Sequence, residues 1–244
     1  MHFLLQRAPP RQQPTEKVLA WIKKRPLKLF YVKSESDVPF PLDCLPVTLE
    51  NIYLGKIKGQ APSLLKPKKL LLHIESDYSA ICSFDTSQLK ILTLGNHFNQ
   101  ERKKEEMVVT LLNVLEKLLS RSPKLTCLLI RVFPQGLPPH SELYSILVKH
   151  ARRLKLFLLG WCEQQELPME LVEIMLLNKL PCLNTVQWIN QKKSIKTFTK
   201  TKGIWLKPDG QKLELDVEKT GYDLTQENDF SNYNDYIHYF SFCC

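Results

Sequence analysis

The sequence predicts an α/β fold of the solenoid kind: a curved parallel sheet with helices and extended returns on its convex side. Three observations carry this expectation. An aliphatic triplet recurs along the chain, its spacing holds to two constant values, and the segments between copies divide into helical and proline-bearing types.

The triplet has the form Leu-x-x-Leu-x-Leu. Its fourth and sixth positions lie on one face of a short strand, and its first anchors the turn leading in. Copies are Leu27/Phe30/Val32, Leu49/Ile52/Leu54, Lys69/Leu72/Ile74, Leu89/Leu92/Leu94, Leu125/Leu128/Ile130, Leu154/Phe157/Leu159 and Leu183/Val186/Trp188. Only Lys69 breaks the apolar rule. The step is 20 residues from 49 to 69 to 89, and 29 from 125 to 154 to 183. Those are the two ends of the leucine-rich repeat range, where short units return by extended segments and long ones by a helix.

The intervening sequence fits that division. Pro46, Pro62 and Pro67 forbid a helix of any length between the short units. Between the long ones, Leu143, Ile146 and Leu147, then Leu171, Ile174 and Met175, recur at helical spacing. The longest helix is expected over about 105–119, and an earlier one over 15–24. These readings divide the chain into an N-terminal arm and capping helix (1–26), a leucine-rich repeat solenoid (27–190), a C-terminal capping hairpin (191–220) and an acidic aromatic tail (221–244). The hairpin is placed at Ile204–Leu206 and Leu213–Val217, turning at Lys207-Pro208-Asp209-Gly210.

Composition narrows the function. With 244 residues and 43% apolar content the chain can build a substantial core. Its net charge of +9 is lopsided: residues 1–213 carry +15 and residues 214–244 carry −6. Eight glycines against 16 prolines disfavour Gly-rich phosphate loops. The seven cysteines are scattered without a CxxC pair, and no Asn-x-Ser/Thr acceptor occurs, so a reduced, intracellular protein (cytoplasmic or nuclear) is expected. No apolar run is long enough for a signal peptide or a membrane span.

No nucleotide, hydrolase or zinc-protease motif is present, and the six histidines stand apart from the cysteines at any metal-ligand spacing. The expectation is therefore no enzyme activity, no metal and no cofactor. The terminal Cys243-Cys244 pair reads as an exposed tail and is not a CaaX box, because Ser241 stands fourth from the end.

Strand alternation aims the residues between the buried ones at the concave face. That gives a candidate partner-binding ladder of Tyr31, Tyr53, His73, Thr93, Leu129, Leu158 and Gln187, flanked by Leu29, Asn51, Leu71, Ile91, Cys127, Leu156 and Thr185. Such an apolar, aromatic face suits a protein partner bound by a monomer. The competing reading is that the N-terminal arm or the tail covers it. Clusters such as Lys66 with Lys68-Lys69, Arg102-Lys103-Lys104 and Arg152-Arg153 suit helix ends and solubility. Nucleic acid is the alternative partner class, disfavoured unless these clusters converge on one stripe with stacking aromatics.

Two stretches carry a family resemblance. Leu45-Pro46-Val47-Thr48-Leu49 leading to Leu54-Gly55, and Leu89 leading to Leu92-Thr93-Leu94-Gly95-Asn96-His97-Phe98-Asn99-Gln100, resemble the FNIP leucine-rich repeats over residues 45–100. The 29-residue units look like the helix-containing repeats of F-box and ribonuclease-inhibitor-type proteins. The resemblance implies a non-catalytic interaction module, such as a substrate-recognition or adaptor subunit of a cullin-type ubiquitin ligase. Leu167-Pro168-Met169-Glu170-Leu171, followed by Ile174, Leu177 and Trp188, is an F-box-like string and marks Leu167, Pro168, Leu171 and Ile174 as candidate adaptor-binding residues. The same residues also fit the repeat, with Pro168 opening its helix.

Overall fold

The computed structural model describes residues 2–5, 15–32, 39–73, 78–95, 104–131, 140–162, 167–190 and 195–214. In chain order the elements are β1 (His2–Leu5), α1 (Glu16–Lys23), β2 (Leu29–Val32), β3 (Phe40–Pro41), a 3-10 turn (Leu42–Cys44), β4 (Asn51–Tyr53), β5 (Ile57–Lys58) and β6 (Lys69–His73). Then come α2 (Tyr78–Cys82), β7 (Ile91–Gly95), α3 (Lys104–Leu119), β8 (Cys127–Arg131), α4 (His140–His150), β9 (Leu156–Cys162), α5 (Met169–Leu176), β10 (Thr185–Asn190), β11 (Ile195–Thr201) and β12 (Ile204–Leu206).

Ten strands form one sheet in the order β1-β2-β4-β6-β7-β8-β9-β10-β11-β12. From β1 to β10 every pairing is parallel, and β11 and β12 then turn antiparallel. Spatial order follows chain order without a swap, so each return segment must cross the same face to deliver the next parallel strand. The sheet is not curled, whereas the sequence reading expected a curved one. β3 and β5 form a separate two-stranded pair beside the short returns.

The same turn precedes successive strands. The amides of Leu49, Leu89, Leu125, Leu154 and Leu183 each donate to the carbonyl three residues earlier, and all five side chains are buried. The first strand residue facing the core then falls three positions later: Phe30, Ile52, Leu70, Leu92, Leu128, Phe157 and Val186 lie side by side in register, all buried.

That register corrects one unit. Leu70, not Leu72, is the partner of Ile52 and Leu92, so the triplet there is Pro67/Leu70/Leu72 with Pro67 buried at the anchor. The steps around it are therefore 18 and 22 residues, and the constant step of 20 came from a frame two residues late. Lys69, the one polar entry in the expected triplets, marked the slip. Ile74 lies outside the described residues.

Helices follow the long returns. In α3 the expected stripe residues Leu111, Leu112, Leu115, Leu118 and Leu119 are buried, and Val114, outside that stripe, is buried with them. Pro168 is the N-cap of α5, and Asn178 ends that helix in the left-handed region at φ 53°. A short α2 does form between β6 and β7, beyond the reach of Pro62 and Pro67, where no helix was expected.

At the ends the structure adds two strands. β1 pairs with β2 ahead of α1, within the segment read as a capping arm. β11 pairs with β10 and turns into β12 through Lys202 and Gly203, both at positive φ. The turn at Lys207–Gly210 forms where expected, with Gly210 N–H on the Lys207 carbonyl at 3.0 Å and Gly210 at φ 83°. Leu215 to Val217 and the tail are outside the described residues, as are Phe98-Asn99-Gln100 of the FNIP-like stretch.

Candidate interaction surface

Because the core-facing row is fixed, the residues one position away face the opposite side of the sheet. In register they run Tyr31, Tyr53, Leu71, Thr93, Leu129, Leu158 and Gln187, continuing to Thr197 on β11. The flanking row is Leu29, Asn51, Lys69, Ile91, Cys127, Leu156, Thr185 and Thr199. Six of the seven expected ladder residues are brought into line.

His73 is the exception. It pairs with Gly95 one step further along, and Leu71 takes its place in the ladder while Lys69 takes the place of Leu71 in the flank. The signal for this was the polar Lys69 in an otherwise apolar triplet position.

Burial divides the face. Tyr53, Leu71, Ile91, Leu129, Leu156 and Gln187 are half-buried, as expected of a sheet face carrying large side chains. Leu158, by contrast, is 0% exposed and Ile189 5%, though neither belongs to the main core cluster. Thr93 is buried as well. Leu158 and Thr93, expected in the partner-binding ladder, are thus enclosed within this chain. For Tyr31 and His73 only the strand position is described.

The half-buried part of this face is mostly apolar, with Asn51, Lys69, Thr185 and Gln187 as its polar members. Lys69 is the one charged member of the two rows over the described residues from β2 to β10, and the others are Leu, Ile, Tyr, Cys, Thr, Asn and Gln. An antiparallel sheet commonly leaves one face polar for water, but a parallel sheet is normally covered on both. Beyond the ladder, Ile195 and Ile204 extend the apolar character onto β11 and β12 and are about half exposed.

Charge sits instead on the strand entries. Glu50 lies between Lys68 at 2.9 Å and Lys28 at 4.0 Å. The hydrogen bond and charge of Lys68, then the charge of Lys28, hold its carboxyl below the usual carboxylate range. Asp85 is lowered by the backbone and side-chain hydrogen bonds of Ser87 and then by Lys66, 3.5 Å away.

The F-box-like string is mostly core. Leu171 is 0% exposed, Ile174 is 4% and Pro168 is buried, while Leu167 packs partly buried against the same cluster. Of the string's apolar residues, Leu177 stands well out in water. Pro168, Leu171 and Ile174, expected as adaptor-binding residues, are thus buried, with Leu171 and Ile174 in the core.

Among the described residues no group of three His, Cys, Asp or Glu side chains is placed to hold a metal ion, and no helix is long and apolar enough to cross a membrane. No family model, curated protein or solved structure matches the chain.

Proposed function

We propose that this chain is a non-catalytic protein-recognition module of the leucine-rich repeat type, binding its partner on the open sheet face between β4 and β8. The observation that supports this most is the half-buried apolar patch formed by Tyr53, Leu71, Ile91 and Leu129 on adjacent strands of one face. Large aliphatic and aromatic side chains there offer contact area with little desolvation cost.

The repeat reading draws on the shared entry turn, the anchor-to-strand spacing of three residues and the strictly sequential parallel order, together with the FNIP-like sequence. A receptor role in a cullin-type ubiquitin ligase belongs to the same proposal. In that version the open face takes the substrate, and the adaptor is met elsewhere than on Pro168, Leu171 and Ile174.

The test is affinity capture with the full chain, comparing the wild type with Leu71→Asp and Leu129→Asp. Specific proteins recovered by the wild type and lost with both variants, at unchanged thermal stability, support the reading. Capture that survives both substitutions contradicts it, and recovery of a cullin adaptor that both variants retain while the other proteins are lost supports the ligase version.

A further inference from the structure

Seven lysines and arginines that are scattered through the sequence are gathered by the fold along the strand entries of the sheet. Each strand is entered next to a residue whose carbonyl accepts two consecutive amides from the entry of the following strand. Lys28, Glu50, Lys68, Lys90, Thr126 and Lys155 accept in this way, at 2.7 to 3.1 Å. The chain of bonds holds these six residues about one strand spacing apart, about 4.8 Å.

A second row stands directly before the buried anchors. Lys66 precedes Pro67, Lys124 precedes Leu125 and Arg153 precedes Leu154, and all three are exposed. Lys124 reaches the corresponding residue of the neighbouring unit, Gln88, at 2.6 Å, which places this row along the same entry edge.

Together the rows hold seven cations. Their carboxylate partners are Glu50 and Asp85, both at the β4–β7 end. Among the described residues no carboxylate lies within ion-pair distance of Lys90, Arg153 or Lys155. Like charges in adjacent positions repel, so the arrangement is relieved by an anion that runs along the row.

We infer that this edge is a binding track for the phosphate backbone of a nucleic-acid duplex. Five strand steps from β2 to β9 make a row of about 24 Å, and the uncurled sheet keeps it straight. A duplex carries a phosphate about every 1.7 Å of its axis over both strands, so about 24 Å of axis holds roughly 14 phosphates, and the half on the near side is about as many as the seven cations. Neither row contains an aromatic side chain, so the track recognises backbone and not base sequence. The inference is independent of the protein-recognition reading, which uses the open face and not this edge.

The experiment is fluorescence anisotropy with the full chain and two unrelated 20-base-pair duplexes between 50 and 200 mM salt. Both duplexes bind alike, and log K falls against log salt with a slope of about −6, as roughly seven phosphate contacts require. The quintuple variant K68Q/K90Q/K124Q/R153Q/K155Q lowers affinity at 50 mM salt at least 100-fold and brings the slope to about −2, as the two remaining cations require. A control of equal charge change, K17Q/K58Q/K117Q/K207Q/K212Q, keeps the steep slope, as does Leu129→Asp.

A flat slope in the wild type overturns the inference. So does equal loss in the control variant, which reduces the effect to net charge, or equally tight binding to anionic phospholipid vesicles, which makes the edge a general anion surface.

Discussion

The indole N–H of Trp205 donates to the carbonyl of Met175 at 2.9 Å, buried, across 30 residues of chain. It joins β12, the last strand of the sheet, to the final turns of α5. Met175 lies in the last turn of the helix, where its carbonyl also accepts from the Asn178 N–H at 3.3 Å, so the indole adds a second, shorter bond to a terminal carbonyl. Replacing Trp205 with Phe keeps most of the ring and removes the donor. Urea unfolding is expected to show a loss of about 1 to 2 kcal/mol. An unchanged midpoint would mean that the β11–β12 hairpin is not anchored through this bond.

Register assigns opposite fates to neighbouring leucines. Leu70 is buried between Ile52 and Leu92, and Leu71 is half-buried on the open face. Leu70→Ala is expected to cost about 2 to 5 kcal/mol in chemical denaturation, since it leaves a cavity in a packed row. Leu71→Ala should cost about 1 kcal/mol or less. Comparable losses at both sites would show that the two faces are equally enclosed.

Enclosure on the open face can be measured by labelling. A cysteine at 129 should react readily with a thiol reagent under native conditions, and one at 158 should stay protected until the protein unfolds, in keeping with the burial of Leu158. The native thiols give an internal scale. Burial, then the charge of Asp43, pushes the Cys44 thiol up to about 11, and its S–H donates to the Pro41 carbonyl. At pH 8 Cys44 should be silent and the exposed Cys182 reactive; rapid labelling of Cys44 would contradict the burial of the β3 segment.

Acid sensitivity has a defined sign. The hydrogen bond and charge of Lys149, then the nearby His150 at 3.6 Å, lower the Glu116 carboxyl, linking α3 to α4. Asp85 is lowered as described above. Both groups bind a proton more weakly when folded than when unfolded. Their contribution is present above the usual carboxylate range and is lost as pH falls through their folded values. The urea midpoint should therefore drop between pH 6 and pH 3, with a shallower drop in Glu116→Gln. A midpoint that rises toward pH 3 would contradict both assignments.

Much of the fold was legible because its core rows are strictly apolar and alternate. The entry anchors Leu49, Leu89, Leu125, Leu154 and Leu183 and the stripe of α3 all stood out for that reason. β1 escaped because Phe3 pairs with Phe30, and the anchor position three residues before Phe3 has no residue in this sequence. β11 escaped because Phe198 is its one buried side chain, and the rest is Thr, Lys and Ile. The β6 register failed where a proline fills an anchor position that the template reserved for leucine.

The open face was legible in outline, since alternation fixes which residues share a side. Its enclosure near β9 was not, because burial of Leu158 and Ile189 depends on what lies over the sheet and leaves no mark on strand periodicity. The basic edge was invisible for a related reason. Lys68, Lys90 and Lys155 are 22 and 65 residues apart and meet only once sequential parallel strands set them side by side.

A glutamate placed at 129 gives the most direct trial of the two-faced sheet and its role. Leu129→Glu should melt within a few degrees of the wild type while failing to capture the wild-type partner, and Leu128→Glu one residue earlier should not fold. Equal collapse of both variants, or a folded Leu129→Glu that still captures the same protein, would contradict the account.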